Sequence, residues 1–138
     1  MAGIDGKWRQ KLASMRTFAP MEISVDDWED VVAYARRLPG VEMVSFYGTQ
    51  CPKVNGKAIV APGHEVGSFC LFTTSIDEKM MLIETEPATY WQTDHYRRYP
   101  CVLVRYGTGS RERVATYISR SWWDRANKRQ RQSLGERP

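Results

Sequence analysis

The dipeptide Asn55–Gly56, set inside "KVNGKAIVAP", restricts the fold of this chain more than any other stretch. Both residues favour the left-handed backbone that a two-residue turn between antiparallel strands demands, so the segment reads as a hairpin. Its neighbours extend the pattern. "VEMVSFYG" reads as a strand before it, Thr49 to Pro52 as an irregular link, "PGHEVG" as a turn after it and "SFCLFTT" as a largely apolar strand behind. Three or four strands in succession point to antiparallel pairing.

Helical segments bracket these strands. In "SVDDWEDVVAYARRLPG", Ser24 is placed to cap, and Asp26, Asp27, Glu29 and Asp30 set negative charge against the positive end of the helix dipole. Trp28, Val31, Val32, Ala35 and Leu38 form its apolar stripe, and Pro39–Gly40 stops it. In "SIDEKMMLIETEP", Ser75 and Glu78 have capping-box spacing, with Ile76, Met80 and Ile83 as the inward face. "TYWQ" and the apolar run "CVLVRY" read as two further strands, the second central. A final helix follows Ser110, with Val114, Tyr117, Ile118 and Trp122 on its stripe and Trp123 off it. Grouped strands of this kind indicate α+β: two layers, an antiparallel sheet of about five strands with helices packed on it, in the order α-β(3-4)-α-β(2)-α. Residues 1–22 read as an arm, with Trp8, Leu12 and Met15 on one face of a short helix that Pro20 ends. Residues 23–130 form the domain and 131–138 a basic C-terminal tail; the stretch "KRQRQSLGERP" has no apolar periodicity and is expected to fray.

At 138 residues and 42% hydrophobic content, the chain has room for one core. No window approaches the 18 apolar residues of a membrane helix, and the N-terminus lacks a secretory apolar stretch, so a cytoplasmic protein with no membrane partner is expected. Cys51, Cys70 and Cys101 are odd in number and far apart, and only His64 and His95 accompany them. Buried, reduced thiols are expected, with neither metal nor other cofactor. The net charge of +4 is unevenly distributed. From Arg97 onward there are 11 Lys/Arg against 3 Asp/Glu, whereas the first 96 residues carry 9 against 13. That asymmetry suits either a polyanionic partner or a solvated, arginine-rich terminal helix.

Three stretches, "ARRLPGVEMVSFYGTQCPKVNGKAIV", "MLIETEPATYWQTDHYRRYPCVLVRY" and "SWWDRANKR", resemble the MmcQ/YjbR-like family in content and order. The likeness runs from about Ile23 to Lys128. It implies a compact α+β fold similar in outline to bacterial secretion chaperones and the frataxin type. The family is described as DNA-binding by analogy of fold with double-wing transcription factors, and the resemblance brings no catalytic residues with it.

The loop "TDHYRRYP" is the first place to look for function. Arg97 and Arg98 on it, with Arg105, Arg113, Arg120 and Lys128 beyond, are candidate phosphate contacts, with Arg111, Arg125 and Arg129 as further backbone contacts on the final helix and Tyr96 and Tyr99 as candidate stacking groups. The competing reading has both tyrosines covering the sheet edge and Asp94 closing an Asx-turn. Asp94, His95 and Cys101 are the nearest approach to a catalytic set, but neighbouring strand residues face opposite ways and Cys101 opens an apolar strand, so no enzyme is expected. The alternative function is a module that binds a protein or small molecule on an open sheet face, with Phe46, Tyr47, Trp91 and His95 lining a groove. A monomer or weak dimer fits either reading.

Overall fold

The computed structural model describes residues 23–138. Its elements are α1 (Trp28–Ala35), β1 (Glu42–Phe46), β2 (Thr49–Val54), β3 (Lys57–Ala58), β4 (Val60–Pro62), β5 (Ser68–Phe72), α2 (Ile76–Thr85), β6 (Tyr90–Trp91), a 3-10 turn (Asp94–Tyr96), β7 (Cys101–Arg105), α3 (Arg111–Arg125) and α4 (Lys128–Leu134). The class is α+β, with every strand pair antiparallel. Five strands precede α2, and they build two sheets in the orders β1-β2-β3 and β4-β5-β7-β6. Ile59 couples the sheets: its N–H donates to Pro52 O at 3.1 Å, and its carbonyl accepts from Phe72 N at 3.1 Å.

Asn55 and Gly56 take φ of 53° and 79°, and Val54 pairs with Lys57, as the hairpin reading requires. Tyr47 and Gly48 do the same at 51° and 83°. Thr49 to Pro52 is therefore not an irregular link but the first part of β2, paired with β1 from Phe46↔Thr49 to Glu42↔Lys53. A tyrosine in the left-handed region and a proline within a strand flanked on both sides disguise it.

Alternation along β5, β6 and β7 sends Phe69, Leu71, Tyr90, Val102 and Val104 into the main core, against Val31 and Ala35 of α1, Leu82 of α2, and Val114, Ile118 and Trp122 of α3. Each such side chain contributes roughly 1.5–3 kcal/mol by leaving water. Trp122 Nε1 donates to Pro39 O at 2.7 Å, and Tyr34 and Ser119 share a 2.7 Å hydrogen bond, which locks α1 to α3.

Several local readings change. α1 is capped by Asp27, whose carboxylate accepts from Asp30 N at 2.9 Å, while Ser24 turns its hydroxyl to Asp30. Ser75 caps α2 as expected, but Glu78 reaches back to Thr74 N rather than to Ser75. The inward residues of α2 are Lys79 and Leu82, and Ile76 is 44% exposed. Ser110 makes no side-chain cap on α3.

The segment read as a fraying tail contains α4. Asn127 accepts from Gln130 N at 2.9 Å and Gln130 Oε1 accepts from Asn127 N at 2.8 Å, a full capping box, and Leu134 joins the main core. α4 also explains Trp123, whose ring lies under the Arg131 guanidinium at 5.5 Å. Beyond it, Arg137 pairs with Asp124 at 3.2 Å. Among the described residues no helix is long and apolar enough to cross a membrane. The reading of Trp8, Leu12 and Met15 lies outside the described residues.

Candidate functional site

The loop between β6 and β7 is held down from beneath. Lys79 is 0% exposed, and its Nζ donates to the carbonyls of Tyr96, Arg97 and Tyr99 at 2.9, 3.1 and 2.6 Å. Three donors meet three acceptors, so the ammonium is saturated without a carboxylate. Burial pushes its pKa down, opposed by negative charge on the Cys101 and Cys70 sulfurs. Tyr96 is 7% exposed and its hydroxyl accepts from His64 N at 3.1 Å, so it is a structural ring and not a stacking group. Burial, opposed by that hydrogen bond, raises its pKa. Tyr99 remains 59% exposed.

Most of the cations nominated from sequence are engaged within the domain. Arg97 pairs with Asp94 at 2.6 Å, which replaces the Asx-turn expected of that aspartate, although both side chains are largely in solvent. Arg105 lies over the Trp91 ring at 4.9 Å and donates to Pro87 O and Ala88 O. Arg113 pairs with Glu86 at 3.1 Å, donates to Thr85 and lies over the Tyr90 and Tyr117 rings. Arg120 lies over Tyr117 and donates to Pro138 O. Arg98 and Lys128 are exposed. Arg113 sits in the first turn of α3 and Lys128 beyond its far end, and a 15-residue helix is about 22 Å long. Along α3, Arg113 and Lys128 are therefore separated by about the length of that helix.

The sheet face expected to be open is also occupied. Ala61, Cys70, Cys101 and Leu103 point away from the main core and form a second buried cluster with Tyr96, flanked by Phe72 and Trp91. Trp91 donates to Ser68 Oγ at 3.0 Å, and the exposed His95 ring stands edge-on to His64 and Tyr96, each with centroids 4.8 Å away. Tyr47 is in the β1–β2 turn, on the other sheet. The side chain of Phe46 lies outside the described residues.

A different set of cations does converge. The Gln130 side chain joins three distant segments. Its Oε1 accepts from Asn55 Nδ2 at 2.9 Å, and Asn55 also donates to Arg125 O at 2.9 Å. Its amide end lies against Gly40, so closely that a Cβ there would stand 2.3 Å from Nε2. The C-terminal end of α1, the β2–β3 turn and the α3–α4 junction are thus held at one end of the molecule. They carry exposed Arg36, Lys57, Lys128 and Arg129, with Arg37 over the Tyr34 ring beside them. The nearest acidic neighbours in sequence are Asp30 and Glu42, each six residues from Arg36, Glu65, eight from Lys57, and Asp124, already paired with Arg137. Of these cations sequence reasoning named Lys128 and Arg129 as contacts. The readable signal for the rest was N-K-R-Q, an Asn cap with Gln three residues on, which starts a helix where a frayed tail was expected.

No protein family, curated protein or solved structure matches this chain.

Proposed function

We propose that this protein binds nucleic acid through the phosphate backbone, by contact rather than chemistry, using Arg36, Lys57, Lys128 and Arg129. The observation that carries the reading is the Gln130 junction, which collects exposed cations from three chain segments. A surface of mobile cations around a rigid polar hub suits sugar–phosphate recognition, which needs positive charge and carries no base preference of its own.

Titrating a labelled duplex across a salt series tests this. Engaging about four phosphates gives a slope of log K against log salt near −3.6. The triple variant Arg36→Glu/Lys128→Glu/Arg129→Glu is expected to lose binding, and Arg97→Ala/Arg98→Ala to retain it. Salt-independent binding, or a triple variant that binds as the parent does, rejects the proposal.

A further inference from the structure

The second buried cluster contains two thiols and one buried cation, and the proposed phosphate surface uses none of them. The register Cys70↔Leu103 and Phe72↔Cys101 puts Cys70 and Cys101 on the same face of neighbouring strands, one diagonal step apart. Both are buried, and both are free cysteines. Cys101 opens β7 directly below the loop, joined to it by Cys101 N donating to Tyr99 O at 2.8 Å. Lys79 is the charged group beside the pair. Among the described residues it forms no carboxylate salt bridge, and its three acceptors are neutral carbonyls. A buried ammonium so placed favours negative charge on the nearest ionisable atoms, and those are the two sulfurs.

We propose that Cys70 and Cys101 are a redox-active dithiol that reduces a small hydroperoxide and closes to a disulfide across β5 and β7. The hydrogen bond from Cys70, followed by the charge of Lys79, holds the Cys101 thiol below the ordinary cysteine range against the opposing effect of burial. The same hydrogen bond and burial push Cys70 above it. Cys101, which opens β7 directly after the exposed loop, is the attacking sulfur, and Cys70, in the middle of β5, the resolving one. In the first step the Cys101 thiolate attacks one peroxide oxygen. An S–O bond forms, the O–O bond breaks, and the departing oxygen leaves with a proton from solvent as an alcohol or water. Cys101 is then a sulfenic acid. In the second step the Cys70 sulfur, giving up its proton, attacks Cys101 sulfur; the S–S bond forms and the hydroxyl departs as water. Two thiols and one hydroperoxide give one disulfide, one alcohol and one water, with two electrons passing to the peroxide.

The position fits a small oxidant. Arg97, Arg98, Tyr99 and Pro100, the residues leading into Cys101, are all exposed. Cys101 is the first residue of β7, so the backbone movement that a diagonal disulfide needs falls on it and the loop before it rather than inside the ladder. Cys51 is an internal control: it is equally buried, lies on the other sheet, and burial pushes its thiol up.

The test is to treat the folded full-length chain with stoichiometric hydrogen peroxide, quench, alkylate after unfolding and map the thiols by mass spectrometry. The expected result is a Cys70–Cys101 cross-linked peptide with Cys51 still alkylated. In Cys70→Ser, Cys101 is expected to stop at the sulfenic acid and be trapped by a 1,3-dicarbonyl probe. In Cys101→Ser, oxidation of Cys70 is expected to slow by about tenfold or more, since the thiolate is the reacting form. Oxidation of Cys51 as fast as of Cys101 in the parent chain overturns the proposal. So does a Cys70–Cys101 bond that forms no faster in the folded chain than in urea.

Discussion

Replacing Lys79 by methionine keeps the length of the side chain and removes its charge. The parent ammonium makes three charge-assisted hydrogen bonds, at 2.9, 3.1 and 2.6 Å, each contributing about 1.5–3 kcal/mol. Against these stands the burial of an ammonium at 0% exposure, which costs several kcal/mol. The two nearly cancel, so the loss on substitution is set by what is left behind. Methionine takes one donor from each of three carbonyls, about 0.5–1.5 kcal/mol net per bond. Tyr96 O keeps the Tyr99 N–H and Tyr99 O keeps the Cys101 N–H. Arg97 O belongs to an exposed residue and can rehydrate when the loop lifts. The expected loss is about 2–3 kcal/mol of unfolding free energy. Amide exchange at Tyr96, Arg97 and Tyr99, whose N–H groups close the loop on Thr93, Asp94 and Tyr96, should rise by roughly 30- to 150-fold. Urea unfolding gives the first quantity, and hydrogen exchange with limited trypsin cleavage at Arg97–Arg98 the second. A loss below about 1 kcal/mol with unchanged loop exchange would refute the idea that Lys79 holds this loop.

Two further outcomes follow from named contacts. Burial pushes the Glu86 carboxyl up, but hydrogen bonds from Ser110, Thr89 and Arg113, with the charge of Arg113, outweigh it and hold the pKa below the usual 4.5. The resulting stability is fully present above that value and is lost as pH falls through the lower folded value; Glu86→Gln should lose about 1–2 kcal/mol at neutral pH and flatten the acid limb of a pH–stability profile. Gly40→Ala and Gly48→Ala both place a side chain at positive φ, +73° and +83°, which costs about 1–2 kcal/mol. Only at Gly40 does the new Cβ meet Gln130, which the Asn127 cap and Asn55 hold in place, so urea titration should show a larger loss there than at Gly48.

The fold class was readable because its signals are local. Asn55–Gly56 forces a turn, Ser75 caps a helix, and Val102–Val104 can only be a buried strand. What was hidden depends on tertiary context. Pro52 argues against the strand it occupies, and nothing in its neighbours announces that Tyr47 adopts a left-handed backbone. Lys79, between Glu78 and Met80, reads as a solvated residue because its acceptors lie 17 to 20 positions further on. The candidate site was legible only at Lys128 and Arg129. Arg97, Arg105, Arg113 and Arg120 looked free because arginine usually faces water, whereas here their partners are Asp94, the Trp91 ring, Glu86 and a terminal carbonyl. Arg36 and Lys57 reach the same end through tertiary contacts of Gln130, Trp122 and Asn55, between residues up to 90 positions apart.

That span matters during synthesis. A chain synthesised as far as residue 125 carries the strands of both hairpins and three of the described helices, yet lacks the amide that brings Gly40 and Asn55 together. Trp122 on Pro39 O and Asn55 on Arg125 O can each form without it, but the α1 terminus and the Asn55 turn gain a shared partner only once Gln130 has been added.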